Sequence, residues 1–370
     1  TCNFFWSCMG YYRHDEGYTP EFEGTEDFAG PIVHPQHWDE TIDYTGKRVL
    51  IIGSGATAMT MLPVLARQAD KVTMVQRSPT YVIAWPRRDR LAIWLRKLLG
   101  PERAHPIIRR KNISLMALMY GFLRRFPRLG SWLLIRRARK RLGPDFDVDT
   151  HFTPDYAPWD QRLCLVPDGD LFDAIEAGKA EVATGHIDRF TERGLRLQSG
   201  QELDADVIVT ATGFSLQWLG GIPIDVDGAP IKPEQEMVYK GCMLSRIPNC
   251  AFVFGYINSS WTLRAELVCE YVCRLLQYMD DHGYAECHPT PDPDVERLPL
   301  LDLNAGYVKR GESDVPCQGD RDPWRFNQNY ALDVALLQGQ PIDDGTLRFE
   351  RERTIDADDV STTAPLASHA

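Results

Sequence analysis

Lys47-Arg-Val-Leu-Ile-Ile52 followed by Gly53-Ser54-Gly55-Ala56-Thr57-Ala58-Met59-Thr60 decides the fold. The first six residues form a short apolar run suited to a strand buried on both faces of a parallel sheet. The glycines follow at once, and Thr57 to Gln68 then reads as a helix with Met61, Leu62 and Leu65 on its apolar side. Lys71 to Gln76 reads as the second strand, so the unit is βαβ. In this setting Gly53-x-Gly55-x-x-Ala58 is a dinucleotide fingerprint rather than a chance spacing. Gly53 permits the tight turn, Gly55 lets the backbone approach a pyrophosphate, and Ala58 allows close packing of helix on strand. The free N–H groups at the helix start offer partial positive charge to the phosphates.

The second strand ends in Gln76-Arg77-Ser78. An NAD site usually carries an acid here for the ribose 2′-hydroxyl. This chain has none, and Arg77 can fork onto a 2′-phosphate with Ser78 as a further donor, which favours NADPH.

The bulk composition fits a globular enzyme. The chain has 370 residues, 44% hydrophobic and 25% charged, enough for about two domains. The net charge of −11 argues against nucleic acid as a partner. Nine cysteines occur with no Cys-x-x-Cys, so neither a zinc site nor a dithiol redox centre is expected, and reduced thiols of a cytoplasmic protein are. No apolar run is long enough to span a bilayer.

Charge is unevenly spread. Residues 87–141 hold 17 Lys and Arg against two acids, Asp89 and Glu102, with apolar residues at helical spacing from Ile93 to Leu99 and from Leu115 to Leu123. A basic helical insertion over 87–145 is expected. Three readings stand: solvated basic faces, attraction of an anionic cofactor, or peripheral association with a membrane surface.

Residues 1–10 read as one strand ending at Gly10, and 11–45 as an ordered connection with little periodicity. Further on, Leu171 to Gly178 reads as a helix. Glu181-Val-Ala, Leu195 to Gln198, Asp206 to Gly213 and Ala251 to Gly255 read as strands, and Ala265 to Asp281 as a long helix. After about residue 285 the Pro and Asp clusters suggest an extended surface wrap. Asp356 to Ala370 has the composition of a disordered tail.

Residues 28–39 read Phe28-x-Gly30-x-x-x-His34-x-x-x-Trp38-Asp39 just upstream of the nucleotide motif. This resembles, at every fixed position, the fingerprint of Baeyer–Villiger-type flavin-containing monooxygenases. Gln76-Arg-Ser-Pro-Thr-Tyr81, Pro158-Trp-Asp-Gln-Arg-Leu-Cys-Leu-Val-Pro167, Trp324-Arg-Phe-Asn-Gln-Asn-Tyr330 and the Ala-Thr-Gly-Phe ending at Phe214 resemble the same family, most of all its ethionamide-activating subgroup.

The resemblance implies a two-dinucleotide-binding-domain α/β flavoprotein using FAD and NADPH. It implies a Rossmann-like NADP domain over 46–205, carrying the insertion. Residues 1–45 would be the late part of an FAD domain plus the fingerprint linker, and 206–355 its C-terminal part. It implies that one oxygen atom of O2 is inserted into a ketone, or that a sulfide or thioamide is oxidised. Arg162 corresponds to the family's active-site arginine, which would stabilise the anionic species of oxygen transfer. Gln161 replaces the Lys that many members carry there, leaving more of the phosphate recognition to Arg77. A second Gly-x-Gly-x-x-Gly for FAD does not occur in the 370 residues, and the chain starts at Thr1 within a strand. A longer parent protein is therefore expected, the alternative being a non-catalytic NADP-binding remnant.

Overall fold

The computed structural model describes residues 1–161, 163–301 and 306–351. The strands β1 (Phe5–Ser7), β2 (Tyr12–Gly17), β3 (Ile32–Val33) and β4 (Arg48–Ile52) come first, then α1 (Ala56–Leu65) and β5 (Lys71–Gln76). β6 (Val82–Trp85) leads into α2 (Arg90–Leu99), α3 (Pro101–Arg125), α4 (Pro127–Leu142) and the short α5 (Val148–Phe152). β7 (Cys164–Pro167), α6 (Asp170–Glu176) and β8 (Ala180–Thr184) follow. A meander of β9 (Ile187–Thr191), β10 (Gly194–Leu197) and β11 (Glu202–Asp204) precedes β12 (Val207–Thr210) and β13 (Phe214–Leu216). Next are the hairpin β14 (Ile224–Val226) and β15 (Ala229–Ile231), then β16 (Val238–Tyr239), β17 (Met243–Leu244) and β18 (Cys250–Phe252). The helices α7 (Trp261–His282), α8 (Gly306–Gly311) and α9 (Tyr330–Leu337) lie in the C-terminal part.

The predicted βαβ unit builds a five-stranded parallel sheet in the order β3-β12-β4-β5-β8. Its strands are apolar on both faces because both are covered. On one face Val49, Ile51 and Met74 pack with Ala58 and Leu62 of α1 and Leu171 of α6. On the other, Leu50, Ile52 and Ile208 meet Phe190, Leu195 and Leu197 of the meander, together with Phe28. Each such side chain contributes roughly 1.5–3 kcal/mol on leaving water. From β4 the chain turns to β5 and β8 on one side, while β12 and β3 lie on the other. The crevice at the carboxyl ends of β4 and β12 is therefore a topological switch point, where such sheets bind ligands.

The sheet draws on residues outside 46–205. β3 comes from the linker and β12 from beyond residue 205. β12 is buried along its whole length, which is why it takes a central place.

A second sheet, β1-β18-β17-β16, packs against α7 through Leu267, Val268 and Tyr271. The N-terminal strand is shorter than expected, Phe5–Ser7, and the connection after it holds β2, paired antiparallel with β13. The region after residue 285 is more than a surface wrap. Trp324, Leu337 and Leu347 enter the core around α7, and Leu300, Val308 and Phe326 enter its neighbour. The expected tail, Asp356 to Ala370, lies outside the described residues.

Packing of α7 on α9 encloses an ion pair. The Arg264 and Asp333 side chains are each 1% exposed and in contact. The Tyr256 hydroxyl donates to Asp333 Oδ2 at 2.6 Å, and Arg264 Nη2 donates to the Lys240 carbonyl at 2.7 Å. A buried pair survives only when hydrogen bonds offset its desolvation, and removing one partner strands the other charge. Asp333→Ala should therefore lower unfolding free energy by about 3–5 kcal/mol, measured by urea titration. A loss below about 1 kcal/mol would show that Arg264 finds water or another acceptor.

Candidate functional site

At the end of β4 the chain turns through Gly53, whose φ of 129° suits glycine alone. A Cβ there would lie 2.2 Å from the Ala211 carbonyl oxygen, so the turn is pressed against the end of β12. Gly55 is the N-cap of α1 and offers no side-chain acceptor to the helix. A Cβ on Gly55 would meet nothing within 4 Å. No side chain caps the first turn of α1 and the space over Gly55 is open, the arrangement that takes a phosphate. Ala58 and Met59 are buried under the helix, Thr57 is half-buried, and the Thr60 hydroxyl is spent on the Ala56 carbonyl at 2.8 Å. The Ser54 hydroxyl donates to the Ser78 carbonyl at 3.4 Å, linking the glycine turn to the end of β5. Arg77 and Ser78 are exposed there. The residues present thus fit a dinucleotide phosphate cradle, with one cation at the position that reads the ribose.

The fingerprint residues sit where the nucleotide sheet meets the rest of the chain. Phe28 packs under the sheet, and a Cβ on Gly30 would lie 2.5 Å from the Asp206 carbonyl oxygen. The His34 ring donates from Nε2 to the Gly213 carbonyl at 3.2 Å and accepts from the Gln36 amide at Nδ1, also at 3.2 Å. Those two bonds are both met by the neutral ring. The ring fills the space over Gly17, where a Cβ would come within 2.0 Å of it. Gln36 adds donors to the Arg13 and His14 carbonyls at 2.8 and 2.7 Å, so the linker is tied along β2. Trp38 meets Tyr44 edge-on at 6.2 Å. Asp39 accepts from the Thr41 amide and hydroxyl, which hold its carboxyl below the usual range, and it faces solvent as a turn-former.

Arg162 lies outside the described residues. The segments beside it are firmly placed. The Tyr156 hydroxyl pairs with Thr80 at 2.9 Å and is pushed up to about 12 by burial, and Tyr81 donates to the Tyr156 carbonyl at 2.8 Å. Arg124 of α3 pairs with Asp160 at 2.8 Å. Tyr156 and Asp160 are thus anchored to the residues just after Arg77 and to the helical insertion.

Three contacts of Tyr18 carried no sequence signal. The Tyr18 amide donates to the Gly213 carbonyl at 3.1 Å, and the Thr212 hydroxyl donates to the Tyr18 carbonyl at 2.6 Å. Arg310 of α8 lies over the Tyr18 ring, 3.5 Å from its centroid.

The sequence matches the flavin-binding monooxygenase-like family over residues 4–92. Over 353 residues it is 50% identical to the FAD-containing monooxygenase EthA of Mycobacterium tuberculosis, covering 95% of this chain and 72% of that protein. The chain belongs to the flavin-binding monooxygenase family. A probable FAD-binding monooxygenase, AlmA of Acinetobacter baylyi, is 43% identical over 95% of this chain and 71% of its own length. Among solved structures, oxidised steroid monooxygenase bound to NADP aligns with TM-score 0.70 at 21% identity, over 94% of this chain and 75% of that one. OTEMO in complex with FAD and NADP aligns with TM-score 0.60 at 20% identity, over 78% of this chain and 63% of that one. The fold is therefore the two-dinucleotide-binding-domain fold of these flavoproteins, and the family resemblance read from the fingerprint holds. All nine cysteines of this family member are free thiols, and burial pushes Cys242 up to about 12.

Burial lowers the pKa of His34 from its ordinary 6.5, against the raising effect of its bond to Gly213. The unfolded chain then takes up this proton first as pH falls. His34 costs no stability above about pH 6.5, and stability declines as pH drops through that value toward the folded one. His151 is lowered by burial in the same sense. Thermal midpoints should fall between pH 7.5 and 5.5, and fall less in His34→Gln than in the parent. Equal slopes in the two proteins would remove His34 as a titrating group.

Proposed function

We propose that this flavin-binding monooxygenase uses NADPH and FAD to insert one oxygen atom of O2 into a ketone, giving an ester or lactone, or to oxidise a sulfide or thioamide. The observation that carries the nucleotide half is the turn from Gly53 to Ala58. Its glycine turn lies against the end of β12, no side chain caps the start of α1, and Arg77 stands at the end of β5. The α1 amides would hold the pyrophosphate, and the Arg77 fork would take the 2′-phosphate. One such cradle, not two, occurs in these 370 residues, so no residue here is assigned to the FAD pyrophosphate. Bound flavin supplies the oxygen chemistry, and the protein orients it and excludes water. By its correspondence to the family's active-site arginine, Arg162 would stabilise negative charge developing on the substrate oxygen, a role suited to a guanidinium that keeps its proton near neutral pH. Phe28, Gly30, His34, Trp38 and Asp39 would link movements of the two nucleotide regions.

NADPH should be oxidised with formation of lactone or sulfoxide, and NADH far less efficiently. Arg77→Ala should weaken NADPH roughly tenfold or more while leaving NADH nearly unchanged, a charge-assisted pair being worth about 1.5–3 kcal/mol. Arg162→Ala should lose product while NADPH still binds. Equal losses for both nucleotides in the first variant, or undiminished ketone turnover in the second, would remove the assignment concerned.

A second reading concerns where the enzyme sits. Among the described residues no helix is long and apolar enough to cross a membrane. The basic helices nevertheless present apolar rows outward. Leu91, Trp94 and Leu98 share one face of α2, and Leu118 and Phe122 share one face of α3; Leu118 is 72% exposed and Leu98 62%. On α4, Trp132 is exposed under Arg136, 4.9 Å from its ring centroid. Large apolar and aromatic side chains set among 17 cations match an anionic lipid surface, into which they insert while the cations stay at headgroup level.

The protein should sediment with phosphatidylglycerol vesicles and not with phosphatidylcholine vesicles, and high salt should release it. Trp94→Ser with Leu98→Ser and Leu118→Ser should abolish the pelleting. Failure to pellet, or a self-association of the parent that the triple variant abolishes, would overturn the lipid reading.

A further inference from the structure

The helix α8 brings a second cation to the mouth of the nucleotide crevice. The guanidinium carbon of Arg310 lies over the Tyr18 ring, 3.5 Å from its centroid. Its Nη2 is 4.0 Å from where a Cβ on Gly213 would stand. Gly213 follows β12, whose end is pressed against the Gly53 turn. The platform is fixed from both sides, since Tyr18 donates its amide to Gly213 and receives the Thr212 hydroxyl on its carbonyl. Burial lowers the pKa of Arg310, Tyr18 raises it, and the charge of Arg77 at the end of β5 adds a smaller lowering. Among the described residues no carboxylate pairs with Arg310 or Arg77, in contrast to Arg124, Arg189 and Arg264. Two cations at one crevice repel, and an anion placed there relieves that repulsion.

We infer that Arg310 is a cofactor-binding residue, contributed by α8, that takes a phosphate of the dinucleotide opposite Arg77 and the α1 amides. This rests on the nucleotide reading above. Stacking on Tyr18 leaves the edge of the guanidinium, with its planar donors, free to fork onto phosphate oxygens. The stack also holds the side chain in place before the ligand arrives, which lowers the entropy lost on binding. The phosphate is either the ribose 2′-phosphate or the pyrophosphate, and both present the same oxygens.

The test is the dissociation constant of NADP+ and of NAD+, read by calorimetry on the whole chain. Arg310→Ala, Arg310→Gln and, as an exposed control on the same helix, Lys309→Ala are compared with the parent. Arg310→Ala should weaken NADP+ roughly tenfold or more, in line with a charge-assisted bond, with Lys309→Ala unchanged. Arg310→Gln keeps a planar group over Tyr18 but no charge, and should lose as much as the alanine variant. A loss confined to NADP+ assigns Arg310 to the 2′-phosphate, and an equal loss for both nucleotides assigns it to the pyrophosphate. Parent-like affinity for both nucleotides in both variants would overturn the proposal while leaving the nucleotide reading intact. A parent chain that binds neither nucleotide would overturn both.

Discussion

The Gly213 carbonyl oxygen is reached by the Tyr18 amide at 3.1 Å and by the His34 ring at 3.2 Å. This three-way contact joins β2, the fingerprint linker and the end of β12, segments far apart in the chain. Two glycines make it possible. Gly17 leaves room for the imidazole, and Gly213 itself holds φ 111°, which turns the chain from the buried β12 toward β13. Since β12 also closes on the Gly53 turn, a displacement of this oxygen would be felt at the phosphate cradle. Each bond is worth only about 1 kcal/mol, so the junction can hold a position and still release it.

That balance explains the residue types in the linker. His34 is neutral, bonded at both ring nitrogens, and partly buried, so it acts as a shaped spacer between two backbones. Gly30 is required for a different reason, because its backbone runs against the Asp206 carbonyl. Trp38 packs beside the nucleotide core with Tyr44, and Asp39 shapes the exposed turn that follows. The fingerprint is therefore a joint whose parts are set by van der Waals distance.

The βαβ unit was legible because its signals are local. An apolar run, a glycine turn and a helical stripe lie in consecutive residues, and β4, α1 and β5 follow within a few positions of expectation. β2 was not legible. Its sequence, Tyr-Arg-His-Asp-Glu-Gly, is charged because its one sheet partner is β13 and its side chains remain in water. The late core residue Trp324 was hidden for the opposite reason. It is an apolar point in Pro- and Asp-rich sequence, with no period to announce it. In the insertion, periodicity located α2 and α3 but was silent on direction, and the rows that include Leu98 and Leu118 face outward.

Arg310 shows the same limit at a functional position. Nothing adjacent in sequence marks it, and its meaning comes from Tyr18 below it and Arg77 beside it. A cation that lies over a ring, has no carboxylate partner among the described residues and feels the field of another cation is eased by an anion. The apo fold tolerates that field because the guanidinium keeps access to water and gains from the tyrosine face. The same reasoning separates Arg310 from Arg264, which is also cationic and near aromatic rings but is closed off with Asp333 in the core. One arginine has its counter-charge built into the fold, and the other, at the mouth of the crevice, has no carboxylate partner among the described residues.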